Sequence, residues 1–180
     1  MKGITTIIPE PQNSAVKNIW DEIEKKFGLT GVKTTPIPHF TWHLAHDYDL
    51  KAVKQALAKL SKEAEPIKIT TGGLGFFNNE MFVAYSKVNK SRALGALHKK
   101  LCQLIMDFSE EPLTYYLPDQ WTPHITLLFE SKALIVEQDK LTEYLKGLEL
   151  KWQFAVDNLI VIQQSETQSP KVLYKASLKK

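Results

Sequence analysis

Apolar residues recur along the chain with two different periods, and their succession predicts an alternation of strands and helices. Spacings of three and four residues predict helices that begin near Asn13, Asp49, Ser91 and Glu137, and Gly28 is a typical residue at which a helix ends. Shorter β-branched or alternating runs between the helices predict strands. The predicted strands are 3–8, 37–45, 66–71, 80–86, 121–129, 152–156, 158–162 and 172–177.

Three segments between these elements are predicted to be turns or loops. They are the glycine-rich GGLG at 72–75, the pair Asn78-Asn79, and SEEPLTYYLPDQ at 109–120. Glycine and asparagine favour turns because they tolerate backbone conformations that other residues avoid.

The order of elements is repeated. Each half of the chain contains a strand, a helix, a strand, a helix and a strand, and the central strand begins with PHFT at Pro38 in the first half and with PHIT at Pro123 in the second. The two halves are otherwise dissimilar, so the repeat lies in the architecture rather than in the sequence. We therefore predict an α+β fold in which a single domain, 1–180, is made of two similar lobes, about 1–78 and 79–180.

The strand period places the polar side chains of each motif on one face. Because side chains alternate along a strand, His39, Thr41 and His43 are predicted to share a face, and so are His124 and Thr126. The apolar residues predicted on the opposite faces are Phe40, Trp42 and Leu44 in the first motif and Ile125, Leu127 and Phe129 in the second. Two such strands facing one another would bring two imidazoles and two hydroxyls around one cleft.

This set of groups suits phosphodiester chemistry without a metal. One neutral imidazole can accept a proton from a nucleophile while a protonated imidazole delivers one to the leaving oxygen. The hydroxyls of Thr41 and Thr126 can donate to the non-bridging oxygens of a phosphoryl group. Two alternatives are open: two half-buried histidines that each bond a neighbouring threonine, or a metal held by His39, His43 and His124. Neither motif contains a cysteine or a carboxylate, so we predict no metal and no cofactor.

Composition and charge narrow the class of partner. A length of 180 residues suffices for one domain with a substantial core, and the single Cys102 excludes an internal disulfide. No apolar run is long enough for a signal sequence or a membrane span, which predicts a cytoplasmic protein without a membrane partner. The net charge is +3, but Arg92 is the only arginine. Because readers of duplex DNA rely on arginine, we predict a small anionic substrate instead.

The residues so far resemble those of the 2H phosphoesterases, the superfamily of bacterial "2′-5′ RNA ligase" proteins and RNA 2′,3′-cyclic phosphodiesterases. PHFTWHLA and WTPHITLLF are similar to its two His-x-Thr/Ser motifs. GGLGFFNNEMFVAYSKV resembles its glycine-rich turn and following strand, and VDNLIVIQQS with Tyr174 resembles its C-terminal hairpin. The resemblance extends over the whole chain. It implies antiparallel sheets around a central cleft, with helices on the outer faces, and catalysis without a metal.

The resemblance also implies roles for the motif residues. His39 would be the proton donor, His124 the acceptor, and Thr41 and Thr126 would hold the phosphate. The substrates would be 2′,3′-cyclic phosphates or 2′-5′ linkages of a small nucleotide or short single-stranded RNA, acted on by a monomer. The chain departs from the pattern where such enzymes tend to have an arginine shortly after the second motif, because Leu128, Phe129 and Glu130 follow here.

Four further residues are candidates for substrate binding, each with a structural alternative. His43 would extend the anion site, or be solvated or bonded to a hydroxyl. Phe77 would stack on a base, or pack in the core. Tyr116 and Trp121 lie in a loop that would close over the cleft, or be pinned by aromatic packing. His98 is predicted to lie on a surface or helix face.

The function predicted from the sequence is therefore metal-independent hydrolysis of a phosphodiester by paired histidines. The alternatives are a nucleotide- or RNA-binding module without turnover, and RNA 2′-5′ ligase activity. The presence of both histidines and both threonines favours the enzyme, since binding alone needs no donor and acceptor pair.

Overall fold

The computed structural model of the chain describes residues 1–78, 80–164 and 170–179, without the side chain of Asn78. Asn79 of the predicted turn and Ser165 at the end of VDNLIVIQQS lie outside the described residues. The elements in chain order are β1 (Lys2–Ile7), α1 (Gln12–Phe27), β2 (His39–Tyr48), α2 (Leu50–Glu63), β3 (Ile67–Asn78), β4 (Met81–Val88), α3 (Arg92–Ile105), β5 (Ser109–Pro112), β6 (His124–Ser131), α4 (Gln138–Lys146), β7 (Gln153–Val156), β8 (Asn158–Gln163) and β9 (Lys171–Ser177).

Two antiparallel sheets organise the fold. One has five strands in the order β5-β2-β1-β8-β9, and the other has four in the order β6-β4-β3-β7. Each motif strand lies in a different sheet, β2 in the first and β6 in the second. The prediction of an α+β fold with antiparallel sheets is confirmed. Because β3 and β4 pair with each other across residue 78, the predicted division of the chain there does not coincide with the division into sheets.

The helices form where the sequence provides a cap. The Asp49 carboxylate accepts from the backbone N–H groups of Lys51 and Ala52 at 3.0 and 3.1 Å, which satisfies two donors of the first turn of α2. The Ser91 hydroxyl does the same for Leu94 at the start of α3. Gly28 ends α1 in the left-handed conformation, with φ 70°.

Two of the predicted turn or loop segments contain strand residues. GGLG does not end β3: it lies inside that strand, where the pairing with β4 shifts register between Thr71 and Leu74. Gly73 has φ 82°, a conformation that glycine adopts without strain, so the strand bulges there and continues. The first four residues of the predicted loop 109–120 form the short edge strand β5, paired with β2, and the rest of that segment is a loop with one short 3-10 turn.

The largest apolar cluster joins α1, α2 and α3 to both motif strands. Its large, fully buried side chains from the motif strands are Phe40 and Trp42 of β2 and Ile125 and Leu127 of β6. These four residues confirm the part of the predicted apolar face to which they belong. No helix among the described residues is long and apolar enough to cross a membrane.

Two histidines are buried in this core, which corrects the prediction for His98. His98 Nε2 donates to the carbonyls of Trp42 and Tyr116 at 2.9 and 3.1 Å, and its Nδ1 is buried without a partner among the described residues. His43 Nδ1 lies 2.7 Å from the Tyr48 hydroxyl. Burial lowers the pKa of each to about 4, assisted for His43 by the charge of His98.

We expect acid to destabilise the fold through these two side chains. In the unfolded chain both titrate near 6.5, so unfolding takes up protons as the pH falls from 6.5 towards 4. The free energy of unfolding should fall in that window by on the order of 2 kcal/mol per histidine at pH 5. Urea denaturation at pH 7 and pH 5 measures this.

The matched variants are His98→Gln, which keeps a side-chain donor, and His46→Gln, which changes an exposed histidine of the same strand as His43. His98→Gln should have a shallower pH dependence than the wild type, and His46→Gln should retain the wild-type dependence. Equal stability of the wild-type protein at the two pH values would contradict the expectation.

Candidate active site

The two motif histidines are held by the same backbone interaction. His39 Nδ1 lies 2.5 Å from the carbonyl oxygen of Ile37, and His124 Nδ1 lies 2.7 Å from that of Thr122, in each case two residues earlier in the chain. A carbonyl only accepts, so Nδ1–H donates and the neutral ring has its lone pair on Nε2. Neither Nε2 has a hydrogen-bonding partner among the described residues. Both rings therefore present a free basic nitrogen.

A bulge follows each motif at the same position. In the β1–β2 pair Thr5 lies opposite Thr41 and Ile4 opposite His43, so Trp42 is skipped. In the β4–β6 pair Tyr85 lies opposite Thr126 and Ala84 opposite Leu128, so Leu127 is skipped. The skipped residue is the third after the histidine in both strands. A bulge reverses the inward and outward alternation beyond it.

An indole N–H binds the threonine carbonyl beside each bulge. Trp121 Nε1 donates to the Thr41 carbonyl at 2.9 Å, and Trp20 Nε1 donates to the Thr126 carbonyl at 3.1 Å. Buried carbonyls that lose their partner in a ladder need another donor, and each tryptophan supplies one. Trp20 and Trp121 are themselves buried.

The bulges decide which predicted site residues share a face. His39 and Thr41 are half-buried before the first bulge, as are His124 and Thr126 before the second. His43, beyond the bulge, is fully buried and bonded to Tyr48, so the prediction that it shares the face of His39 is wrong.

The same reversal acts in β6. Phe129 is 41% exposed, whereas Leu128 and Glu130 are buried. Phe129 was predicted on the apolar face, and it lies instead on the same side as Thr126. The Glu130 carboxylate accepts from the backbone N–H of Gly31 at 3.0 Å, so it holds a neighbouring loop.

The two motifs are brought within electrostatic range of each other. β2 and β6 contact each other, and the charge of His39 contributes to the lowered pKa of His124. Burial is the larger cause for His124, and it alone lowers the pKa of His39; the carbonyl bond to each Nδ1 opposes the shift. We call the space bordered by His39, Thr41, His124 and Thr126 the cleft. Both imidazoles in it are held towards the neutral form.

An aromatic wall stands beside His124. The ring centroids of Phe77 and Tyr85 are 4.3 Å apart, and each lies 5.0 Å from that of His124. The Tyr85 ring covers Gly75 so closely that a Cβ there would lie 2.3 Å from it. Sequence reasoning missed Tyr85. It lies directly opposite Thr126 in the β4–β6 pair, which puts its side chain on the cleft face.

Trp121 and Tyr116, predicted as a closing loop, are placed differently by the structure. Trp121 is 3% exposed and stacks on His98 and Trp42, with ring centroids 3.7 and 5.5 Å apart. Tyr116 is half-buried against the core. Trp121 therefore packs in the core beneath β2 and does not belong to a loop that closes over the cleft.

The family model of the 2′-5′ RNA ligase superfamily matches residues 9–168. The chain belongs to this superfamily. The match covers both motif strands, so the resemblance to the 2H phosphoesterases is confirmed. No curated protein sequence matches the chain.

Two solved structures illustrate the fold that this chain shares with other proteins. Escherichia coli LigT in apo form has a TM-score of 0.59 and 14% identity, over 99% of this chain and 97% of that one. Kluyveromyces marxianus Usb1 with uridine monophosphate has a TM-score of 0.55 and 10% identity, over 98% of each chain.

No group of three or more histidine, cysteine, aspartate or glutamate side chains arranged to hold a metal ion occurs in residues 1–78, 80–164 and 170–179. His43, one of the three histidines that could have formed such a group, is turned into the core by the bulge. The groups that the superfamily fold brings together at the cleft are two imidazoles and two hydroxyls.

We expect Gly75→Ala to disturb His124 through Tyr85. The added Cβ forces the Tyr85 ring away from β3, which removes part of the wall that buries His124. The pKa of His124 should then rise towards its ordinary value of 6.5, because burial is the main cause of its lowering. Titration of the histidine Hε1 signals by NMR measures this shift.

Gly72→Ala is the matched control on the same strand, since the nearest atom to a Cβ at that position is Asn89 Nδ2 at 3.9 Å. It should leave the pKa of His124 as in the wild type. A pKa of His124 that is unchanged in Gly75→Ala would show that the aromatic wall does not bury it.

Proposed function

We propose that this chain is a metal-independent phosphodiesterase that hydrolyses 2′,3′-cyclic phosphate ends or 2′-5′ linkages of RNA, oligonucleotides or nucleotides. One observation carries the proposal: two half-buried imidazoles from separate sheets, each fixed through Nδ1 by the carbonyl two residues earlier, with both Nε2 atoms free. Positioned donor and acceptor groups of this kind are what acid-base catalysis requires. The presence of uridine monophosphate with Usb1, a protein of the same fold, is consistent with a nucleotide ligand.

The proposed reaction places one proton transfer on each histidine. Nε2 of His124 accepts the proton of the attacking water as its oxygen bonds to phosphorus. Protonated His39 donates from Nε2 to the ribose oxygen as the bond between that oxygen and phosphorus breaks. The number of protons on the pair is unchanged, and exchange with solvent restores the starting state.

We assign the two threonines to stabilising the negative charge that builds on the phosphoryl oxygens. The hydroxyls of Thr41 and Thr126 lie on the motif faces and donate to the non-bridging oxygens. The bulge and the indole bond to each threonine carbonyl hold the backbone from which that hydroxyl projects. A donor that is positioned before the reaction costs no reorganisation in the transition state.

Hydrolysis of a nucleoside 2′,3′-cyclic phosphate tests the proposal directly. The wild-type protein should turn it over in the presence of excess EDTA, because the imidazoles and hydroxyls supply both the proton transfers and the charge stabilisation. His124→Ala should lower kcat by about 10²- to 10⁴-fold, the usual contribution of one positioned acid or base.

His46→Ala is the matched control, since His46 is an exposed histidine of β2 outside the cleft. It should retain wild-type kcat. Activity that EDTA abolishes and zinc restores would overturn the metal-independent mechanism, and nucleotide binding without turnover would leave only a binding module.

The pH dependence of kcat/KM should be bell-shaped, with its maximum below pH 6.5. The productive state carries one proton on the pair, and both pKa values are lowered, so both rings are mostly neutral at pH 7. Activity should rise as the pH falls through the first protonation and drop when the second histidine is protonated. The two limbs belong to the coupled pair rather than to either residue.

Profiles of kcat/KM for the wild type, His39→Ala and His124→Ala on the same cyclic nucleotide measure this dependence. Each single variant should lose one limb along with most of its activity. A variant of either histidine that kept near wild-type kcat/KM over the whole range would contradict the paired mechanism.

A further inference from the structure

Lys87 is an exposed lysine that lies directly opposite His124 in the β4–β6 pair. Directly opposite residues of antiparallel strands have their side chains on the same face, with Cβ atoms about 4.5–5.5 Å apart. The backbone N–H of Val88 donates to the Pro123 carbonyl at 3.1 Å, which fixes the register at this end of the ladder. Ser86 and Val88 on either side are buried, so Lys87 points to the cleft face.

The charge of Lys87 is available to a ligand. Lys87 has no hydrogen bond or ion pair with the described residues. Lys90, three residues later, differs in this respect, because its Nζ lies 3.3 Å from the carbonyls of Pro118 and Trp121. Lys90 thus holds the loop before β6, whereas Lys87 does not support the fold through any such contact.

The residues of β3 that lie across from Lys87 are glycines. Thr71 pairs with Val88 and Leu74 with Ser86, so Gly72 and Gly73 lie across from Lys87. A Cβ at Gly73 would meet nothing within 4 Å, and one at Gly72 would meet only Asn89 Nδ2. An open strip of backbone therefore borders the lysine. It leaves room for a ligand that extends past His124 over the sheet.

The cleft face of this sheet has an apolar end and a charged end. Its successive cross-strand rows are Phe129, Val83 and Phe77; then Thr126, Tyr85 and Gly75; then His124 and Lys87. The first row offers aromatic surface, of which Phe129 is 41% exposed, and aromatic rings bind bases by stacking. The last row offers a cation. A phosphate bound at His124 would therefore lie close to both the Phe77 ring and Lys87.

We propose that Lys87 and the Gly72-Gly73 strip form a subsite for a second phosphate, the neighbour of the reacting phosphodiester in an oligonucleotide. This inference rests on the proposed phosphodiesterase function and specifies its substrate class as an oligonucleotide rather than a mononucleotide. The reacting phosphate lies between the motifs, the base of its nucleoside faces the aromatic rings, and the adjacent phosphate, carried on O5′ of the same ribose, meets the Lys87 ammonium. A lysine binds phosphate as a point charge and needs no fixed geometry.

The test compares two substrates that differ by one nucleotide, and so by one phosphodiester charge: a nucleoside 2′,3′-cyclic phosphate and a dinucleotide with a 2′,3′-cyclic phosphate end. Lys87→Gln should lower kcat/KM for the dinucleotide about tenfold more than for the mononucleotide. For dinucleotide binding, loss of one phosphate contact should also reduce the slope of log K against log salt by about 0.7. Lys68→Gln removes the same charge from an exposed position of β3 and should keep the wild-type substrate ratio.

Equal losses on the two substrates would overturn the subsite, because Lys87 would then contact the reacting phosphate. Unchanged kcat/KM on both would overturn it as well, because Lys87 would be a solvated surface residue. Calorimetric binding of the ring-opened products, with a 2′- or a 3′-phosphate, separates this inference from the proposed function. A loss in Lys87→Gln that is confined to the dinucleotide product, with no turnover of either cyclic substrate by the wild type, would support the subsite and overturn hydrolysis.

Discussion

One skipped residue in each motif strand, Trp42 in β2 and Leu127 in β6, is the constraint on which the arrangement of the site depends. The bulge lets the histidine and threonine before it face the cleft while the residue directly after it, His43 or Leu128, turns into the core. It also leaves the threonine carbonyl to an indole N–H. The donor for β2 comes from the segment before β6, and the donor for β6 comes from α1. Each motif strand is thereby tied to a different part of the chain, which fixes the two hydroxyls relative to each other.

The electrostatics of the cleft follow from this placement. Both imidazoles are half-buried, their Nδ1 atoms are occupied by carbonyls, and the charge of one disfavours the charge of the other. A neutral pair is a weak ligand for an anion until one ring takes up a proton. A phosphate between the rings favours that proton, so ligand binding and protonation are linked. The aromatic wall of Phe77 and Tyr85 contributes by keeping water from one side of His124.

Much of the fold could be predicted because its local signals are strong. Asp49 and Ser91 cap helices as their side chains suggest, and the faces of both motifs follow strand alternation up to the threonine. The wrong predictions begin at the bulges, because a strand period of two does not reveal an extra residue. The bulge in each motif strand reverses the alternation of faces, so His43 is buried and Phe129 is exposed. The sequence GGLG predicts a turn, but a glycine pair permits a bulge as readily as a turn, and here it forms a bulge within β3. Trp121 looked like a loop residue, but its partners, Thr41 and His98, lie far away in sequence.

If the cleft is a phosphodiester site, the Nε2 atoms of His39 and His124 bind the same phosphate. ¹⁵N NMR titration of the histidine side chains is the most direct test. The spectra would be recorded with and without a nucleoside 2′-monophosphate or 3′-monophosphate, the two products that opening of the cyclic phosphate can give. Without ligand, we expect His39 and His124 to be neutral at pH 7 with the proton on Nδ1. On binding, the pKa values of both should rise while those of the buried His43 and His98 do not. A rise confined to one motif histidine, or a proton on Nε2 of the free protein, would contradict the account.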